Sequence, residues 1–282
     1  RGVECFESGP DFSAFQRMPL EPLKMPVNGL AHAGNGLIFA SGNVRGADDF
    51  AAGIVRALRI DPDSGSVERL GQRMTGGSTP CYLSCRDGLL WVANFREFGT
   101  PGDDGATTRG SVSVFRIHNK APWLESIETF RFPGSSLHPE RQLHSHPHSA
   151  VLHPAQPVVF VGDLGTDALR YLDYSPLLRD PGAGALEWKA LELPRPTGPR
   201  HVAVHPEGEF VFVNGEISGK LHVCCYDADS NMLRATEEIS AVPPELEGGG
   251  ACSDLTIDPT GRFLYSCNRG NHAVACYRID AA

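Results

Sequence analysis

The chain has 282 residues, of which 41% are hydrophobic and 21% charged, so it is long enough to bury a large core and is not expected to be disordered. Its 25 Lys and Arg residues against 34 Asp and Glu residues give a net charge of −9, which argues against a nucleic-acid partner. The apolar runs, such as 210–213 and 221–226, fall far short of the roughly 20 residues that span a bilayer, which argues against a membrane protein.

The first eight residues contain neither an initiator Met nor a basic-then-apolar signal pattern. This favours a cytoplasmic protein, or a piece of a longer one. The eight cysteines have neither the density of a disulfide scaffold nor paired C-x-x-C zinc spacing, and most lie in strand-like runs. We expect them to be buried, reduced thiols.

The composition indicates an all-β fold. The 31 Gly and 22 Pro residues predict many turns. Candidate strands are short and rich in β-branched or aromatic residues, residues 111–114 alternate polar and apolar, and no stretch keeps a 3.6-residue period for three clear turns.

A repeated strand pair predicts the architecture. An apolar strand, a turn and a second strand with a central aromatic residue recur at 30–43, 83–94, 151–163, 202–214 and 255–268. Successive aromatics are 52, 69, 52 and 53 residues apart, and they are Phe39, Trp91, Phe160, Phe212 and Tyr265. A period of this length is typical of propeller blades.

A third strand follows each of the last four pairs, at 111–117, 168–174, 221–227 and 273–280. Four antiparallel strands per repeat make a propeller blade, and 52 residues per blade gives about 5.4 blades. We therefore expect a single β-propeller domain over 1–282, a truncated piece of five to six blades that is incomplete at both ends. An incomplete blade would leave an unpaired edge prone to aggregation.

Two polar segments, 96–110 and 134–148, account for the one long interval of 69 residues. We interpret both as loop insertions, and the first is a candidate gate over the central channel. Loops on a rigid scaffold often carry function.

Seven motifs occur in a characteristic order. They are G-G-S-T-P-C-Y-L (76–83), P-E-R-Q-x-x-x-H-P-H-S (139–149), D-L-G-T-D (163–167), G-P-R-H (198–201), N-G-E-I-S-G (214–219), S-D-L-T-I-D-P-T-G-R-F-L-Y (253–265) and N-R-G-N (268–271). In these motifs the chain resembles the seven-bladed propeller lactonases, a family that includes cycloisomerase-type 6-phosphogluconolactonases and fungal carboxymuconate lactonizing enzymes. The resemblance runs from about residue 28 to the end and implies a seven-bladed, metal-free ring of about 340 to 370 residues.

Three histidines alternate in the second insertion, at His144, His146 and His148. Alternate residues of an extended segment point to one side, so two or three imidazoles can converge. A metal site lacks an Asp or Glu at matching spacing, which leaves a catalytic or substrate-binding imidazole, or solvated loop histidines, as the main interpretations.

Charged residues also stand at the ends of neighbouring strands. Arg200 opens one strand, while Glu216 and Arg269 follow two others. Strand ends of successive blades meet at a propeller's central channel, so these residues can face His148. Guanidinium groups bind carboxylate or phosphate bidentately, which suits an anionic substrate; ordinary blade-to-blade ion pairs are the alternative.

The family resemblance implies that His148, Arg200, Glu216 and Arg269 form the catalytic site. Their motif neighbours are expected to contact the substrate, although Asp254, like Asp163, suits a structural role at a blade turn equally well. These neighbours are His146, His201, Asp254 and Asn268.

The resulting hypothesis is a lactonase that acts on a small anionic lactone, foremost 6-phosphogluconolactone of the pentose phosphate route. Neutral His148 or ionised Glu216 would be the general base for water, and Arg200 with Arg269 would bind phosphate or stabilise the oxyanion. The chain has no G-x-S-x-G, G-x-G-x-x-G or Walker A motif, and we expect no cofactor and no metal. An intramolecular lyase acting on a muconolactone and a non-catalytic binding propeller remain alternatives, and the oligomeric state is left open.

Overall fold

A computed structural model of the protein describes most of the chain as short β-strands. One five-residue helix, α1 (Ser175–Arg179), is the longest helix in the described part, and none there is long and apolar enough to cross a membrane. The structure describes residues 6–8, 15–17, 26–45, 51–61, 63–97, 109–180, 185–242 and 251–280.

The strands form a two-stranded ribbon, β1 (Phe6–Ser8) with β2 (Phe15–Arg17), and five antiparallel meanders. Blade I is β3 (Gly29–His32), β4 (Leu37–Arg45), β5 (Ala51–Ile60) and β6 (Val67–Met74); blade II is β7 (Ser78–Arg86), β8 (Leu89–Arg96), β9 (Ser111–Ile117) and β10 (Leu124–Arg131); blade III is β11 (Pro147–Leu152), β12 (Val158–Asp163), β13 (Ala168–Asp173) and β14 (Lys189–Glu192); blade IV is β15 (Pro199–Val204), β16 (Phe210–Gly215), β17 (Lys220–Asp227) and β18 (Met232–Ser240); blade V is β19 (Cys252–Ile257), β20 (Phe263–Asn268) and β21 (Ala273–Arg278).

The predicted repeat is confirmed strand by strand. Each of the five aromatics lies in the second strand of its blade, and each predicted third strand pairs beside it. In blade III, for example, Phe160 lies opposite Val151 of the first strand and Tyr171 of the third. The 52-residue spacing is therefore the length of one complete meander.

The blades stack face to face. Their first strands contact one another in the order β3, β7, β11, β15, β19, and an apolar cluster fills each gap between blades. Trp91 of blade II is fully buried against Tyr174, which follows the third strand of blade III, at 5.4 Å between ring centroids. This stacking brings the first strands together along one line, where the candidate site lies.

Two histidines tie neighbouring blades at the turns between first and second strands. His153 Nδ1 accepts two amides of its own turn, so its Nε2 carries the proton and donates to the Gly208 carbonyl of the next blade at 3.2 Å. His205 makes the same contact with Gly261 one blade further on, also at 3.2 Å. These imidazoles are structural.

The expectation of buried cysteines is only partly correct. The seven described cysteines are free thiols, but only Cys224 and Cys252 are buried, while Cys276 is exposed. Successive side chains of a strand point to opposite faces, so a strand-like context does not ensure burial. Cys5 lies outside the described residues.

We predict that the edge of blade V promotes self-association of this 282-residue chain. Among the described strands, β21 pairs only with β20, and Val274 on it is 63% exposed. Val274→Lys should reduce self-association, because a charge on an edge strand opposes pairing with another chain. Light scattering across a concentration series measures this, with Leu178→Lys on helix α1 as a control of equal charge. A monodisperse, cooperatively melting wild-type chain would contradict the prediction.

Candidate active site

A register irregularity opens the first strand of each of blades II to V. The pairing with the second strand shifts between Pro80 and Tyr82, Pro147 and Ser149, Pro199 and Val202, and Cys252 and Leu255. Such bulges leave residues unpaired and re-aim their side chains. The residues released in this way are Cys81, His148, Arg200, His201, Ser253 and Asp254.

A buried asparagine near the end of β16 supports the bulges of blades IV and V. Asn214 accepts the backbone N–H of His201 at 3.0 Å and donates to the carbonyls of Ser253 and Asp254 at 3.4 and 3.2 Å. The sequence reasoning missed this role. One amide thus fixes bulges of two adjacent blades.

Three arginines converge on one carboxylate at this end of the blades. Glu216 follows β16, and its Oε2 accepts Arg200 Nε at 2.8 Å and Arg269 Nη2 at 2.9 Å, while its Oε1 accepts Arg141 Nη2. The Glu216 side chain is 12% exposed and that of Arg269 is 55% exposed. The predicted meeting of Arg200, Glu216 and Arg269 is therefore present in the structure.

The charges in this group do not cancel. Three guanidinium groups share one carboxylate, which leaves an excess of two positive charges. Burial lowers the pKa of Arg200 from its usual value, and the Glu216 carboxylate acts in the opposite direction. The group therefore presents positive charge that an anion would neutralise.

His201 and Asp254 adjoin this group. Arg200 Nη1 only donates, so His201 Nε2 accepts that bond at 3.2 Å, and the proton of the neutral ring is on Nδ1, which donates to Asp254 at 2.9 Å. Burial lowers the pKa of His201, against the raising effect of its hydrogen bond to Asp254. Asp254 thereby fixes the tautomer and orientation of His201.

His148 is the neutral imidazole of the site. It is 9% exposed, and its ring packs edge-on against Phe95 and His201 at 5.4 and 5.5 Å between centroids. Burial, together with the positive charge of Arg200, lowers the pKa of His148 well below 6.5. Its Nδ1 is buried and has no hydrogen-bond partner among the described residues. No hydrogen bond in the described part therefore commits either ring nitrogen of His148, although Nδ1 itself is shielded from solvent.

His146 supports the aromatic neighbour of His148. Its ring stacks on Phe95 at 4.6 Å, its Nδ1 lies 2.8 Å from the Phe95 carbonyl, and its backbone N–H donates to Asp163 at 2.8 Å. Asn268, another predicted substrate contact, is 3% exposed, and its side-chain oxygen accepts the Gly270 N–H of its own turn at 2.8 Å. No contact in the described part joins His144 to this group.

The sequence reasoning missed Arg141, which comes from the irregular segment between β10 and β11. That segment is anchored by its neighbour Gln142, which is fully buried and donates to Asp167 Oδ1 at 2.7 Å. The same Asp167 oxygen accepts the N–H groups of Thr197 and Gly198 at 2.8 and 2.7 Å. A single buried carboxylate thus holds the Arg141 segment against the turn that precedes Arg200.

Gly198 in that turn has φ of +62°, a left-handed conformation that favours glycine, and a Cβ there would lie 2.7 Å from Ile217. The proposed gate at 96–110 lies largely outside the described residues, since 98–108 are not among them. Within the described part, no cluster of three or more His, Cys, Asp or Glu side chains is placed to hold a metal ion.

Comparisons with known proteins agree with this architecture. The family model described as Lactonase, 7-bladed beta-propeller matches residues 30–282. A 6-phosphogluconolactonase of Bacillus subtilis (strain 168) is 28% identical over 231 residues, 81% of this chain and 60% of that protein. One of Formosa agariphila is 26% identical over 220 residues, 77% of this chain and 58% of that protein. The chain therefore spans about 60% of the length of these relatives.

A solved structure shows the same fold over almost the whole chain. The periplasmic gluconolactonase of Pseudomonas aeruginosa superposes with a TM-score of 0.82 at 25% identity, and the match covers 99% of this chain and 75% of that one. Because the family model covers most of the sequence and the blades repeat as that family requires, this chain belongs to the seven-bladed β-propeller lactonase family.

Proposed function

We propose that the protein is a lactonase that hydrolyses an anionic sugar-acid lactone, with 6-phosphogluconolactone as the leading substrate. The observation that carries the proposal is the arginine group around Glu216 beside a buried, neutral His148 whose imidazole makes no hydrogen bond in the described part. The relatives named 6-phosphogluconolactonase support it.

In this mechanism, His148 takes a proton from water as the water oxygen attacks the lactone carbonyl carbon. The arginines stabilise the resulting oxyanion or bind the substrate's anionic group. The ring C–O bond then breaks, and the leaving oxygen takes the proton from the His148 imidazolium. Atoms and charge balance without a covalent intermediate.

His148 suits the role of base better than Glu216. Both carboxylate oxygens of Glu216 accept bonds from guanidinium groups, so it serves as their shared counter-ion. Cys81 lies nearby, with Sγ 3.4 Å from the His148 carbonyl, but burial raises its pKa to about 12, which keeps it a thiol near neutral pH.

The test is hydrolysis of freshly generated 6-phosphogluconolactone above its spontaneous rate, with the full-length protein. We expect Arg200→Ala and Arg269→Ala each to lower kcat/KM by roughly tenfold to a hundredfold or more, because each removes a charge-assisted contact to the anion. Arg179→Ala is the control, because Arg179 lies on helix α1 and its guanidinium bonds Ser175 of the same helix.

Absence of turnover in the folded full-length protein would contradict a lactonase for this substrate and would favour a binding propeller. Muconolactone would then be the next substrate to assay. A cytoplasmic location and a place in the pentose phosphate route stay predictions, and the solved neighbour from Pseudomonas aeruginosa is named a periplasmic gluconolactonase.

A further inference from the structure

Building on the proposed lactonase function, we propose that Arg141 makes the site selective for lactones that carry a dianionic group, such as a phosphate monoester, over uncharged lactones. The comparisons leave this choice open, since the relatives are named 6-phosphogluconolactonase and the solved neighbour is named gluconolactonase. The selectivity is argued from the position, free donors and charge of Arg141.

Arg141 completes the arginine group from a separate part of the chain. It binds Oε1 of Glu216, whereas Arg200 and Arg269 both bind Oε2. Its guanidinium carbon lies 5.4 Å from the ring centroid of Phe95, the same ring that packs against His148. Arg141 therefore contacts both the Glu216 carboxylate and Phe95, the aromatic neighbour of His148.

Arg141 also retains donors for a ligand. A guanidinium has five N–H donors, and the described contacts of Arg141 use one hydrogen bond, to Glu216. Arg200, in contrast, bonds Glu216, His201 and the Ser253 carbonyl and is 16% exposed on its side chain. The Arg141 side chain is 36% exposed, so its remaining donors are accessible to a small anion.

The charge of the arginine group favours an anion. Its three arginines exceed Glu216 by two positive charges, and the Asp254 carboxylate bonded to His201 lowers the local excess to about one. This excess still attracts a phosphate monoester, which carries about −1.5 to −2 at neutral pH. An uncharged lactone would leave this excess in place. Arg141 is moreover held in position, because its neighbour Gln142 is bound by the buried Asp167, so little ordering is needed when the anion binds.

The test compares two lactones and one simple anion in Arg141→Gln. We expect KM for 6-phosphogluconolactone to rise by about tenfold to a hundredfold, and the affinity for inorganic phosphate, measured by calorimetry, to fall by a similar factor. KM for glucono-1,5-lactone should change by less than about twofold, since that substrate has no phosphate for Arg141 to bind. Arg141→Lys, which keeps the charge but loses the planar fork, should give an intermediate phosphate affinity.

Arg179→Gln on helix α1 is the matched control, and the melting temperature of each variant confirms folding. Unchanged phosphate affinity in Arg141→Gln, equal losses for both lactones, or a wild-type protein that does not bind phosphate would overturn the selectivity proposal. A wild type that binds phosphate through Arg141 but hydrolyses neither lactone would overturn the lactonase function while Arg141 stands as an anion-binding residue. The two proposals therefore fail in distinguishable ways.

Discussion

His148→Gln is expected to lower kcat for lactone hydrolysis by roughly a hundredfold to ten-thousandfold, the usual contribution of a general base. The residue has a buried Nδ1 with no described partner, and its ring is held between Phe95 and His201. Glutamine keeps polarity and approximate size but does not take up a proton from water. Steady-state kinetics on 6-phosphogluconolactone, corrected for spontaneous hydrolysis, measures the effect.

The pH profile gives an independent readout of the same residue. A general base works in its neutral form, so activity falls as the pH drops through its pKa. Since burial and the nearby positive charges lower the pKa of His148 well below 6.5, kcat/KM should stay level from pH 8 to about 6.5 and decline only at more acidic pH. This differs from the inflection near 6.5 of an unperturbed histidine.

His118→Gln is the control, because His118 is a partly exposed histidine that bonds Glu125 between the outer strands of blade II. It should leave both kcat and the pH profile unchanged. An acid inflection at or above pH 6.5, or equal activity in His148→Gln and wild type, would assign the base to another group.

The blade repeat was readable in the sequence because the core fixes it. Four of the five second-strand aromatics pack in the apolar clusters between blades, and Phe39, Trp91 and Phe160 are fully buried, so their spacing records the length of a meander. Tyr265 of blade V is only partly buried and is not part of these clusters. The burial of cysteines was less predictable. It depends on which face of the strand each side chain occupies, as adjacent Cys224 and Cys225 show, with only the first buried.

The position of the site was also predictable in outline, since strand ends of successive blades lie together. Arg200, Glu216 and Arg269 were expected to meet on this ground, and the structure places them in direct contact. The bulges that release His148 and His201 depend on strand register, which motif spacing does not reveal.

Arg141 was missed although it lies within a motif that carried the family resemblance. It stands 75 residues from Glu216 in sequence, in a segment without regular structure. Its position follows from the Gln142 to Asp167 hydrogen bond, which connects two loops. For the bulges of blades IV and V, the available sequence signal was the N-G-E-I-S-G motif, which begins with the supporting Asn214.

Glu216→Gln should destabilise the protein by about 3 kcal/mol, because it removes the carboxylate shared by three guanidinium groups and leaves their charges uncompensated. This loss of stability is at the lower end of the range for breaking a buried ion pair, because Arg141 and Arg269 are partly exposed. Added phosphate should restore much of the loss, since a ligand that binds only the folded state raises its stability. Denaturant unfolding in phosphate and in chloride of equal ionic strength measures both effects.

Glu68→Gln is the control, because Glu68 pairs with Arg59 in blade I, both side chains are exposed, and the pair lies away from the arginine group. Its stability should fall by less than about 1 kcal/mol, as for exposed ion pairs, and should show no specific response to phosphate. If phosphate stabilised the two variants equally, Glu216 would not be the shared counter-ion of the three arginines.

Glu216→Gln also distinguishes between His148 and Glu216 as the general base. If Glu216 is the counter-ion of the arginines, Glu216→Gln keeps the base, and its kcat for a phosphorylated lactone should remain within about tenfold of wild type, because the substrate's own phosphate compensates the guanidinium charges. If Glu216 activates water, kcat should instead fall as far as in His148→Gln. Both carboxylate oxygens of Glu216 are engaged by arginines, whereas no described hydrogen bond engages the His148 imidazole, so the smaller loss is expected.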